Sequence, residues 1–198
     1  MIATYDEVLE ALEPVTKALE SMAVPYMICG SIASNVYGIP RLTQDVDLVA
    51  AIPLFRADAL ATTLQGTYYV SPEAIREAIR LRRSFNVIHL KSFVKIDVFV
   101  AKDDPFTRIQ LERRHPEQLD RTGKATSVAT AEDVVLSKLR WYREGGGTSE
   151  QQWKDVMGVL KVQAERLDRA YMAHWARELD LKDLLAKAFD DSGLEPLR

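Results

Sequence analysis

Short apolar runs alternate with polar, helix-like stretches up to about residue 129, and beyond that point only helical spacing is left. Thr4-Tyr5-Asp6-Glu7 has the form of a capping box opening an N-terminal helix, with Pro14 expected to kink or restart it. Tyr26–Cys29 reads as a first strand and Ile32–Tyr37 as a helix closed by Gly38-Ile39-Pro40. Val46–Ala51 reads as a second strand, 53–64 as a helix opened by Pro53, and Thr67–Val70 as a short extended segment. Ser71-Pro72 opens a helix to about Leu81. Phe85–Leu90 and Phe93–Val100 are then two strands joined by only Lys91 and Ser92, a hairpin without the usual glycine. A short helix from Asp104-Pro105 to Arg114 and a weak strand over Lys124–Ala129 complete a mixed sheet with helices.

The remainder is helical. Thr130-Ala131-Glu132-Asp133 caps a helix to Arg143 that Gly145-Gly146-Gly147 ends, and Ser149-Glu150-Gln151-Gln152 opens another to Gln163. Two more helices are expected near 166–179 and 181–190. Leu136, Leu139, Trp153, Val156 and Leu160 have the spacing of a core face. The expected architecture is α/β (α+β): a mixed-sheet core over 1–129 and a C-terminal helical subdomain over 130–198 packed on it.

Composition narrows the class. With 47% apolar and 28% charged residues the chain has the make-up of an ordinary globular protein. It has no 18-residue apolar run and no basic start followed by an apolar block, so the expectation is a cytoplasmic protein with no membrane partner. The single Cys29 fits a buried strand position. Charge is unevenly placed: residues 1–60 carry eight acidic and three basic side chains. Residues 73–95 carry six basic (Arg76, Arg80, Arg82, Arg83, Lys91, Lys95) against Glu73 and Glu77. Such a basic stretch suits either a solvated helix face or guidance of a polyanion.

The chemistry concentrates in residues 29–48. Gly30-Ser31 follows the first strand and precedes a helix, where backbone amides and a hydroxyl can receive phosphate. Asp45 and Asp47 flank Val46, so on a strand both carboxylates share one face. Two adjacent carboxylates repel unless a cation lies between them, and Mg²⁺ takes carboxylates together with substrate phosphates. Asp97 sits within the apolar run Phe93–Val100, where an unpaired charge is costly and a shared metal would remove the cost.

Tyr37-Gly38-Ile39-Pro40-Arg41-Leu42-Thr43-Gln44-Asp45-Val46-Asp47, preceded by Gly30-Ser31, resembles the signature of the nucleotidyltransferase superfamily related to DNA polymerase beta. Glu132 to Arg143 followed by Gln152-Trp153-Lys154-Asp155 resembles the C-terminal half of abortive-infection toxins of that fold. The resemblance implies a nucleotidyltransferase fold and transfer of an NMP from an NTP to an acceptor hydroxyl. Asp45, Asp47 and Asp97 would hold two Mg²⁺ ions, and Gly30 and Ser31 the β,γ-phosphates. Arg41 and Thr43 would line the substrate site, Lys138 would contact the triphosphate, Lys154 would help with phosphate charge, and Asp155 would act as base or acceptor positioner. It also implies RNA (a tRNA 3′ end) or a protein as acceptor, and a possible antitoxin partner. On the residues alone two other readings stay open: a small-molecule acceptor of the antibiotic type, and a non-catalytic nucleotide-binding or interaction module. Arg41 has a simpler role available as well, pairing with Asp45. Lys138 could be a surface lysine with a buried stem, and Asp155 a carboxylate favoured by the helix dipole.

Overall fold

A computed structural model describes residues 3–119 and 125–195. The chain forms two compact units: residues 1–32 with 42–128, and residues 33–41 with 129–198. The second therefore takes in 33–41, which a single cut at 129/130 leaves with the core.

The first unit is built on a seven-stranded mixed sheet in the order β3-β4-β5-β2-β1-β7-β6. Its strands are β1 (Tyr26–Cys29), β2 (Asp45–Ala50), β3 (Tyr68–Tyr69), β4 (Ser84–His89), β5 (Lys95–Val100), β6 (His115–Gln118) and β7 (Ala125–Val128). Strict alternation along β2 and β5 sets the two faces. Val46, Leu48 and Ala50 with Ile96, Val98 and Val100 are buried on one side. Helix α1 (Tyr5–Ser21) packs against β2, and the Tyr68 hydroxyl donates to the Ala11 carbonyl of α1 at 2.6 Å. Asp45 and Asp47 of β2 and Lys95 and Asp97 of β5 project to the other face, because β2 and β5 are parallel with Asp45 opposite Lys95 and Asp47 opposite Asp97.

Local signals account for most boundaries. Thr4 and Glu7 form the expected capping box. Pro14 lies inside α1 without ending it; it deprives only the Glu10 carbonyl of a partner, and Glu10 is exposed to water. Helix α2 (Gly30–Tyr37) starts two residues earlier than expected, at Gly30 itself. The stretch from Pro53 is a short 3₁₀ turn (Leu54–Arg56) followed by α3 (Ala57–Leu64). Helix α4 (Pro72–Leu81) is capped by Ser71, and α5 (Pro105–Arg113) by Asp104, whose carboxylate accepts from the Thr107 amide.

Two expectations are corrected. The β4–β5 connection is longer than two residues, running from Leu90 to Val94. The Phe93 amide donates to the His89 carbonyl and the His89 amide to the Val94 carbonyl, which places Phe93 at φ +58. Strand β6, His115-Pro116-Glu117-Gln118, was not anticipated: it is polar, contains proline and, among the described residues, pairs with β7 alone, as an edge strand can. The strand expected over Lys124–Ala129 is found as β7, with Lys124 outside the described residues.

The second unit holds α6 (Ala131–Glu144), α7 (Glu150–Gln163), α8 (Arg169–Glu178) and α9 (Lys182–Asp191), with a 3₁₀ turn at Ala164–Arg166. Thr130, Ser149 and Asp168 cap α6, α7 and α8. Leu136, Leu139, Val156 and Leu160 are buried as expected, whereas Trp141, Trp153 and Trp175 are half-buried. Among the described residues no helix is long and apolar enough to cross a membrane.

Candidate active site

Three of the anticipated carboxylates share one sheet face in the first unit. Asp45, Asp47 and Asp97 rise from neighbouring parallel strands on the half-exposed face of the sheet, as their period-2 spacing requires. Asp47 is also opposite Cys29, the last residue of β1. Gly30 follows at φ +58, and a Cβ there would fall 1.9 Å from Asp47 Oδ2. Only glycine lets the turn pass so close to that carboxylate, and it adopts this φ without steric cost. The Asp47 carboxylate thus lies at the start of α2, where the helix dipole favours negative charge. Ser31 is half-buried in the first turn of the same helix. Thr43 works one step back, its hydroxyl donating to the Asp45 carbonyl at 3.1 Å and fixing the entry of β2.

Lys95 joins this cluster, and its part was missed in the sequence. Its Nζ lies 2.8 Å from Asp97 Oδ2 and 3.8 Å from Asp45 Oδ1. The hydrogen bond to Asp97 lifts Lys95 above the ordinary lysine range against opposing desolvation. The charges of Asp97, Asp45 and Asp47 add to the lift. The same alternation that pairs Asp45 with Asp47 puts Lys95 beside Asp97, so the signal was available. As a donor set the three carboxylates are all oxygen, which suits a hard divalent cation such as Mg²⁺. Among the described residues no three His, Cys, Asp or Glu side chains are grouped closely enough to hold a metal ion as they stand.

The downstream motif comes together in the second unit. Asp155 is buried on α7 and faces Lys138 of α6 and Arg41. Arg41 grips it with two bonds, Nε to Oδ1 at 2.9 Å and Nη2 to Oδ2 at 3.0 Å. Lys138 Nζ donates to Oδ2 at 2.8 Å, and Gln151 Nε2 to Oδ1 at 2.8 Å. Burial pushes the Asp155 carboxyl up, but the bonds from Arg41 and Lys138, the Lys138 charge and Gln151 outweigh it. The net result lies below the usual carboxylate value. Asp155 is therefore an ionised anchor of a buried charge cluster. Arg41 pairs with Asp155, and Lys138 is fully buried rather than a snorkelling surface residue.

Asn35 completes the clamp: its side chain donates to the Arg41 carbonyl and accepts from the Arg41 amide. Gln152 accepts from Lys138 Nζ at 3.0 Å. Neither had a signal beyond lying within the motifs. Lys154 is not part of the cluster; it is exposed and pairs with Glu150 one turn earlier.

No family model matches the chain, and no curated protein matches it in sequence. Solved structures do match. An antigenic nucleotidyltransferase-like protein from Paracoccidioides brasiliensis aligns with a TM-score of 0.57 at 17% identity, over 93% of this chain and 93% of that one. The antibiotic-resistance factor ANT(2'')-Ia in solution aligns at 0.56 and 12%, over 96% of this chain and 100% of that one. A crystal structure of ANT(2'')-Ia with adenylyl-2''-tobramycin aligns at 0.55 and 13%, over 87% and 98%. The fold, a mixed α/β sheet with helices, is the nucleotidyltransferase fold.

Proposed function

We propose that this chain is a Mg²⁺-dependent nucleotidyltransferase that moves an NMP from an NTP to an acceptor hydroxyl. The observation that carries the reading is the placing of Asp45, Asp47 and Asp97 on one face of two parallel strands, with Gly30 closed against Asp47. In this reading the three carboxylates hold the cation, and the Gly30-Ser31 turn receives the triphosphate. Bound there, Mg²⁺ supplies charge neutralisation on the phosphates and activation of the acceptor hydroxyl. Asp155 and Lys138 act within their own unit as positioning residues that fix Arg41. The nucleotidyltransferase fold supports the reading.

For the acceptor we favour RNA, such as a tRNA 3′ end. Arg80 and Arg83 are exposed at the end of α4, whereas Arg76 is paired with Glu73 and Asp58, and Arg82 donates to the Ala101 carbonyl. RNA binding through such a patch weakens steeply with salt. A toxin-like role with an antitoxin partner rests on the motif resemblance.

Wild-type protein and Asp45→Asn/Asp47→Asn are incubated with Mg²⁺, each α-labelled NTP, bacterial RNA and lysate protein. Label transferred by the wild type alone supports the reading, and nuclease or protease sensitivity of the product separates RNA from protein. Transfer that survives the double substitution refutes the role of these carboxylates. Growth arrest on expression, relieved by the same substitutions, tests the toxin role.

A further inference from the structure

Cations near a carboxylate cluster compete for the same oxygens, and one is already built into this chain. Lys95 reaches Asp97 at 2.8 Å and Asp45 at 3.8 Å from the same sheet face. Its register opposite Asp45, two residues before Asp97, fixes the stem beneath that edge of the cluster. The side chain is 39% exposed and Asp97 is 18% exposed, so the contact lies at the half-open face rather than in the core. The ammonium already offsets part of the carboxylate charge along the Asp45–Asp97 edge. A second divalent ion on the Asp45–Asp97 edge would meet the ammonium as a like charge at contact distance.

We infer that Lys95 takes one of the two cation positions of this cluster, so that a single divalent ion enters with the nucleotide where the two-ion scheme takes two. The inference rests on the nucleotidyl-transfer reading above and narrows it. Lys95 is a positioning residue: it holds Asp97 and Asp45 in place of one ion, and the other ion enters with the triphosphate. The chain then needs less divalent cation to assemble its site, because one charge is always present at an effective concentration set by the strand.

The test counts ions without turnover. Wild type, Lys95→Met and Lys95→Arg are dialysed to equilibrium against Mn²⁺ and the α,β-methylene analogues of the four NTPs, and bound Mn²⁺ is read per bound analogue. The expected result is one Mn²⁺ for wild type, two for Lys95→Met, and one for Lys95→Arg, which keeps the charge. Two Mn²⁺ in the wild type overturns the inference while leaving nucleotidyl transfer standing. One Mn²⁺ in both wild type and Lys95→Met also overturns it, since removing the ammonium opened nothing. Neither Mn²⁺ nor any analogue retained by the wild type refutes the nucleotidyl-transfer reading, and the inference falls with it. Should Lys95→Met fail to fold, Lys95→Gln, which also removes the ammonium, takes its place with the same expected counts.

Discussion

Asp155→Asn tests the buried cluster most directly. The substitution keeps the shape of the side chain and removes the negative charge that Lys138 and Arg41 share. Lys138 is 2% exposed and Asp155 5%, so water cannot replace the lost partner. Removing one member of a buried ion pair costs about 3–5 kcal/mol. That is a large part of the roughly 5–15 kcal/mol a protein has in total. Arg41 is 31% exposed and can turn to solvent, so the residual penalty concentrates on Lys138. A sign follows that simple contact counting does not give. Lys138→Met/Asp155→Asn, which removes the stranded ammonium too, should be more stable than Asp155→Asn alone. Urea unfolding followed by tryptophan fluorescence suits the question, because Trp141, Trp153 and Trp175 all lie in the helical unit. With a slope of about 1–3 kcal/mol per molar, Asp155→Asn should lower the midpoint by at least about 1 M, with part regained in the double variant. Additive losses, or a loss under about 1 kcal/mol for Asp155→Asn, would refute the reasoning.

Three further outcomes are expected. Gly30→Ala should destabilise by well over the about 1–2 kcal/mol of its left-handed backbone, because the new methyl meets Asp47; Gly66→Ala, at φ +84 with open space around it, should show the backbone cost alone, and equal losses by thermal melting would contradict the contact. Phe93 is 80% exposed at φ +58, so Phe93→Asn should stabilise by about 0.5–1 kcal/mol in the same melts, and a loss would mean the ring is held by a partner. Asp155 lies below its ordinary value when folded, so its contribution is present above the unfolded pKa and disappears as pH falls through the folded one. Wild-type stability should therefore decline below about pH 4, and acid titration of Asp155→Asn should lack that part of the decline.

Sequence carried the sheet face well and the helical cluster poorly, for a physical reason. Asp45, Asp47 and Asp97 announce themselves because alternation along a strand is local information, and two strands in parallel register do the rest. The Arg41–Asp155 pair joins positions 114 apart, and no periodicity encodes that meeting. Sequence offered Arg41 a place lining the substrate site or a pairing with the nearest carboxylate, Asp45, and neither pointed to Asp155. Lys95 was legible by the same alternation, but as one of six basic residues it was counted into a patch. β6 gave no warning because its pairing partner, rather than its own composition, makes it a strand.

The partition of the chain bears on the order of synthesis. Residues 33–41 belong to the helical unit, yet they are made long before residue 129. At about 5–20 residues per second, Arg41 waits roughly 6–23 s for Asp155 to be added. During that interval its guanidinium lacks the two-bond grip of Asp155. A fragment beginning at residue 129 would lack Arg41 altogether, so the four C-terminal helices expressed alone should leave Asp155 with Lys138 and its glutamine as partners. Cutting the gene at the apparent domain boundary would thus divide the helical unit itself.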